Sequence, residues 1–163
     1  MKNIILCGFM GAGKTVVGKE LAKIMGCKFV DTDELIEKEQ GIAVKAIFAA
    51  RGEEYFRKLE AEICNRIGET KNCVVSTGGG TLTFKENVEA VKKSGKVVFL
   101  DASFETVCER IGENSTRPLF QDRESAKALF DERRKMYLDA ADYVVSGDNS
   151  ARKTALDIAS IFK

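Results

Sequence analysis

Apolar positions along this chain fall into short unbroken runs separated by longer amphipathic stretches. Lys2–Gly8 is a continuous apolar run with β-branched residues, as expected of a buried strand. A Gly-rich turn and a helix from about Lys14 to Met25 follow, then a short strand at Phe29-Val30-Asp31. Helical patterns cover about Asp33–Glu39, Ala43–Ala50 and Glu53–Ile67. Cys73–Ser76 reads as a strand running into Gly78-Gly79-Gly80, with a helix over about Phe84–Lys93 behind it. Lys96–Leu100 is another buried strand, and Ser103 can cap a helix reaching about Ile111. Gly112–Arg123 holds the only proline and has no periodicity, so a surface loop long enough to serve as a lid is expected there. A helix over about Ser125–Ala140, a strand Tyr143–Val145 and a helix from about Ala151 complete the pattern.

Short strands alternating with helices predict an α/β fold, a parallel sheet covered by helices on both faces. No linker, repeat or low-complexity segment interrupts residues 1–163, so one domain is expected. Hydrophobic residues at 44% and charged residues at 31% fit a globular chain. The net charge of +1 calls for neither nucleic acid nor an anionic membrane as partner. No apolar run approaches the roughly 18 residues that cross a bilayer. The absence of histidine excludes Ser-His and Cys-His nucleophiles and every His-ligated metal. Cys7, Cys27, Cys64, Cys73 and Cys108 form no CxxC pair. With no secretory signal at the start, they are expected to be reduced thiols of a cytoplasmic protein, mostly small core residues.

Chemistry enters at Gly8-Phe9-Met10-Gly11-Ala12-Gly13-Lys14-Thr15, which fits GxxxxGK[ST] between a buried strand and a helix. The glycines let backbone N–H groups close around phosphate oxygens, and the helix N-terminus adds partial positive charge. In such a loop Lys14 reaches the β- and γ-phosphates and the Thr15 hydroxyl ligates Mg2+. The loop alone does not separate a GTPase, an ATPase and a kinase.

Further candidates lie at the ends of later strands, where the ligand crevice of a parallel sheet opens. Asp31 and Asp33 can serve a metal and a substrate hydroxyl or its proton; either could instead cap the next helix. Gly78-Gly79-Gly80 offers bare backbone N–H groups or is a plain turn. Arg57, Arg117 and Arg133 carry the planar fork that best holds a carboxylate or a transferring phosphoryl. Asp101, at the end of a Walker-B-like apolar strand, competes for the metal but also precedes a helix; the Asp31/Asp33 pair is preferred.

Together GFMGAGKT, FVDTDELIE, the FRKLE stretch, STGGGT, the RPLF stretch and ERRKMY resemble shikimate kinase in order and spacing, from Asn3 to about Val145. The resemblance implies a three-layer P-loop kinase fold with a five-stranded parallel sheet and ATP-dependent phosphorylation of the shikimate 3-hydroxyl. It implies a nucleotide site of Gly11, Ala12, Gly13, Lys14, Thr15, Val16, Arg110 and Arg117, with Arg110 near adenine and Arg117 on a lid over about 112–123. It implies Mg2+ held by Thr15 and, through water, Asp31. The acceptor would lie against Asp33, Arg57, Gly78, Gly79, Gly80 and Arg133 in a helical region of about 33–60. Arg57 and Arg133 would clamp its carboxylate, and Val44, Phe48 and Phe56 would line its apolar side. Lys14, Asp33 and Arg117 are the implied catalytic residues. A monomer is expected, acting on ATP and shikimate. Competing expectations are a gluconate kinase of the same architecture and a nucleotide-binding regulator that has lost catalysis.

Overall fold

Every side chain of Asn3–Cys7 (β1) is buried, the position of a strand with neighbours on both edges and helices on both faces. The computed structural model describes residues 1–112 and 122–163. Strands β2 (Lys28–Asp31), β3 (Cys73–Ser76), β4 (Gly95–Asp101) and β5 (Tyr143–Ser146) join β1 in one parallel sheet of order β2-β3-β1-β4-β5. Ile5 is in register with Val75 on one side and Val97 on the other. The one polar residue of β1, Asn3, is fully satisfied: Nδ2 donates to the Ile67 and Thr70 carbonyls, and Oδ1 accepts from the Cys73 N–H. This network anchors the strand's start, since a buried polar side chain left unpaired would be costly.

The helices are α1 (Lys14–Met25), α2 (Thr32–Gln40), α3 (Val44–Ile67), α4 (Lys85–Lys92), α5 (Phe104–Ile111), α6 (Arg123–Ala140) and α7 (Ala151–Phe162). Helix α1 packs on α7, α3 on α4, and α6 against β4. Two helices were expected where α3 runs, and Gly52 explains the division: its backbone (φ 83°, ψ 171°) is non-helical and breaks α3. The 3-10 turn at Thr81–Thr83 was not foreseen. Chain order turns at β1, which leads first toward β2 and β3 and later, through α4, to β4. That reversal leaves a crevice at the carboxyl ends of β1 and β3.

Candidate active site

The loop after β1 opens the crevice. Gly11 (φ 81°) and Gly13 (φ 91°) take left-handed conformations that admit few other residues. Gly13 is the N-cap of α1, no side chain caps that helix, and no acid lies in its first turn. The first-turn donors therefore face the crevice with the dipole's positive end, an anion site. Lys14 Nζ lies across the loop, donating to the carbonyls of Gly8 (2.6 Å) and Phe9 (3.2 Å).

Thr15 Oγ1 donates to Asp31 Oδ2 at 3.1 Å, and the other oxygen of Asp31 accepts from the Glu34 N–H at the start of α2. Asp31 thus caps α2 with one oxygen while the other reaches the Thr15 hydroxyl at the phosphate loop. Asp33, in the first turn of α2, sends Oδ1 into a buried position where it has no hydrogen-bond partner among the described residues. Burial first, and then the nearby charges of Glu60 and Asp31, push its carboxyl up to about 6, with Lys14 pulling the other way.

The triple glycine meets three side chains one by one. A Cβ on Gly78 would sit 2.7 Å from Asp33 Oδ1, one on Gly80 2.8 Å from Arg57 Nη2, and one on Gly79 3.3 Å from Arg133 Nη1. Only bare backbone lets these groups approach from three elements at once. A cavity of about 290 Å³ lies between the phosphate loop and this cluster, lined by Gly11, Gly13, Lys14, Thr15 and Val16 on one side and Asp31, Asp33, Gly78 and Gly79 on the other. Outside that lining, the Phe48 and Phe56 rings meet tilted by 42° with centroids 4.7 Å apart, and Phe56 and Phe84 flank the Arg57 guanidinium.

Arg110 is brought to the phosphate loop rather than to the cavity wall. Its Nη1 donates to the carbonyls of Gly11 (3.3 Å) and Ala12 (3.0 Å), and its Nη2 to those of Gly147 (2.6 Å) and Asn149 (3.2 Å). It ties the β5–α7 turn to the loop. Asp101, the competing metal candidate, holds Arg134 in a bidentate surface pair (3.0 and 2.8 Å). Arg117 and most of the expected lid lie outside the described residues.

The family model described as "Shikimate kinase" matches residues 10–162 of this chain. The chain belongs to the shikimate kinase family. The shikimate kinase of Persephonella marina is 48% identical over 141 residues, 86% of each chain. That of Moorella thermoacetica is 40% identical over 163 residues, covering 99% of this chain and 94% of the relative. Among solved structures, shikimate kinase from Acinetobacter baumannii, described in complex with shikimate, superposes with a TM-score of 0.91 at 35% identity, covering 99% of this chain and 93% of that one. The Aquifex aeolicus shikimate kinase follows at 0.88 and 38%, over 98% and 95% of the two chains. The expected P-loop kinase fold, a five-stranded parallel sheet flanked by helices, is thereby shown.

Sequence reasoning missed two members of this site. Glu60, 1% exposed, binds Arg57 Nη1 and accepts from the Thr81 hydroxyl. Tyr137, also 1% exposed, donates its hydroxyl to the Gly79 carbonyl. A signal was present: Glu60 follows Arg57 by three residues and Tyr137 follows Arg133 by four, the spacings that share one helix face.

Proposed function

We propose that this kinase transfers the γ-phosphoryl of ATP to the 3-hydroxyl of shikimate, giving ADP and shikimate 3-phosphate for aromatic amino-acid biosynthesis. The observation that carries the assignment of residues is the convergence of Asp33, Arg57 and Arg133, each on one glycine of Gly78–Gly80, across the cavity from the phosphate loop. One carboxylate and several hydroxyls are what two guanidinium forks, one carboxylate and bare backbone donors can bind. The solved Acinetobacter baumannii relative, described in complex with shikimate, supports that acceptor.

In this reading the α1 N-terminus and Lys14 hold the phosphates, and Lys14 leaves the loop carbonyls for them. Arg57 and Arg133 fix the acceptor by its carboxylate. Asp33 accepts a hydrogen bond from the reacting hydroxyl and takes its proton as the new O–P bond forms and the bond from Pγ to the ADP oxygen breaks. The rise to about 6 leaves Asp33 ionised at neutral pH yet basic enough to draw on that proton.

Hard oxygen donors at Thr15 and Asp31, 3.1 Å apart beside Lys14, suit Mg2+. Among the described residues no group of three or more acidic or Cys side chains could hold a metal alone, so nucleotide phosphates and water would complete the shell. Bound there, Mg2+ would neutralise charge on the β- and γ-phosphate oxygens.

A single domain and a monomeric, cytoplasmic enzyme complete the proposal. Among the described residues one sheet holds all five strands, and no helix is long and apolar enough to cross a membrane. ADP release measured with shikimate, with gluconate and without acceptor tests the assignment. Release with shikimate alone is expected; equal rates with gluconate would overturn it.

A further inference from the structure

The Gly78–Gly80 turn holds two of its three carbonyls by itself. The Gly78 carbonyl accepts from the Thr81 N–H at 3.2 Å, and the Gly80 carbonyl from the Thr83 N–H at 3.3 Å and the Thr83 hydroxyl at 2.6 Å. The Gly79 carbonyl is held from outside the turn, by the Tyr137 hydroxyl. A trans peptide is planar, with its C=O and N–H pointing in opposite directions, so fixing the Gly79 carbonyl fixes the Gly80 N–H. That N–H donates to no acceptor among the described residues. Glycine on both sides of this peptide leaves nothing in the local chain to stop it from flipping.

Tyr137 is built to resist such a flip. Its side chain is buried, its ring packs on Phe99 of β4 with centroids 5.3 Å apart, and it lies one turn of α6 after Arg133. The Arg133 guanidinium lies beside the phenol and also against Gly79, so one face of α6 carries both groups to the turn.

We infer that Tyr137 is a positioning residue: its hydroxyl locks the Gly79–Gly80 peptide in the orientation that aims the Gly80 N–H at the acceptor beside Arg57. This rests on the acceptor site proposed above. The residue need touch neither substrate; it acts through one backbone donor that a glycine peptide cannot hold alone.

Tyr137→Phe removes the hydroxyl and keeps the ring. Phe99→Leu loosens the ring's packing and keeps the hydroxyl, a control for a merely structural role. Shikimate and ATP are titrated separately by calorimetry at 15 °C, with circular dichroism of wild type and both variants at that temperature as the check that each is folded. Tyr137→Phe is expected to weaken shikimate binding about tenfold, the scale of one lost donor to a buried carbonyl. It should leave ATP binding within about twofold of wild type, raise KM for shikimate more than it lowers kcat, and bring microsecond-to-millisecond exchange broadening to the Gly80 amide resonance as the peptide flips. Phe99→Leu should lower the melting temperature with little effect on shikimate. Unchanged shikimate affinity in Tyr137→Phe, equal loss for ATP, or equal loss in Phe99→Leu would overturn the inference. Wild type that fails to bind shikimate would instead overturn the acceptor assignment; relaxation broadening at the Gly80 amide would then judge the lock alone, and no new broadening in Tyr137→Phe would sink it.

Discussion

Glu60 lies one turn after Arg57 on α3, with one carboxylate oxygen on the Arg57 guanidinium and the other on the Thr81 hydroxyl. The acid is 1% exposed and the arginine half-buried. Asn87 extends the chain by donating to the Thr81 carbonyl at 2.9 Å. The arginine proposed to read the acceptor is thereby bolted to the turn that presents the backbone donors. Breaking a buried pair by neutralising one partner costs about 3–5 kcal/mol, because the remaining charge stays uncompensated. Partial exposure of Arg57 lowers the expected cost for Glu60→Gln to about 2–3 kcal/mol. Urea unfolding should show that loss, together with a raised KM for shikimate and a nearly unchanged KM for ATP.

Asp33 sets stability against activity. Its folded carboxyl is raised from the usual 3.8 to about 6, so the folded state binds its proton more tightly than the unfolded state. The group's favourable contribution is present below pH 4 and is lost as pH rises through about 6. Above that pH the ionised, half-buried side chain destabilises the ligand-free protein, at most by about 3 kcal/mol. Asp33→Asn should therefore raise the melting temperature at pH 7.5 by a few degrees, with a smaller gain at pH 4.5. The same variant should lose at least about 100-fold in kcat. Scanning calorimetry at the two pH values checks the first claim and steady-state rates the second. A variant less stable than wild type at pH 7.5 would refute the sign.

Much of this was legible in the sequence because its signals are local. The continuous apolar run of β1 and the GxxxxGK[ST] pattern named a strand, a loop and a helix start in consecutive residues. The two helical patterns expected over about Ala43–Ala50 and Glu53–Ile67 left Gly52 between them, where the structure breaks α3. Strand order was not legible, since packing among residues far apart in the chain decides which edge each strand takes. Glu60 and Tyr137 were missed because a lone acid or tyrosine on a helix looks like any other until Thr81 and Gly79 arrive from another segment. Arg110 showed as a cation, but its carbonyl partners come from two distant turns. Of the two readings of Asp31, the cap is seen in one oxygen, and the other oxygen, turned to the Thr15 hydroxyl, stays open to the metal role.

That division of Asp31 gives a test with two variants. Asparagine caps helices about as well as aspartate, whereas alanine costs about 1 kcal/mol. Asp31→Asn should keep the wild-type melting temperature and raise the Mg2+ needed for half-maximal rate by about tenfold. Asp31→Ala should show the same Mg2+ defect and lose the cap energy as well. If Asp31→Asn needs no more Mg2+ than wild type, the residue is only a cap.

The last test separates carboxylate recognition from general damage to the pocket. Arg57→Ala and Arg133→Ala should each weaken shikimate binding by about 2–4 kcal/mol, roughly 30- to 1000-fold, because each removes a charge-assisted fork from a partly dry site. ATP binding without shikimate should barely change, since the described phosphate-loop contacts run through Gly8, Phe9 and Arg110 instead. Arg57→Lys and Arg133→Lys should recover only part of the loss, as lysine supplies charge without the planar pair of donors. An analogue whose carboxylate is reduced to an alcohol should bind wild type poorly and lose little more in the double alanine variant. Calorimetry of acid and alcohol against wild type, each single variant and the double variant closes a thermodynamic cycle. A large coupling between the arginines and the carboxylate is expected. Loss of the alcohol as severe as loss of the acid would mean that Arg57 and Arg133 shape the pocket without reading the charge, and Gly79 and Gly80, which face them, would have to supply the specificity through backbone donors.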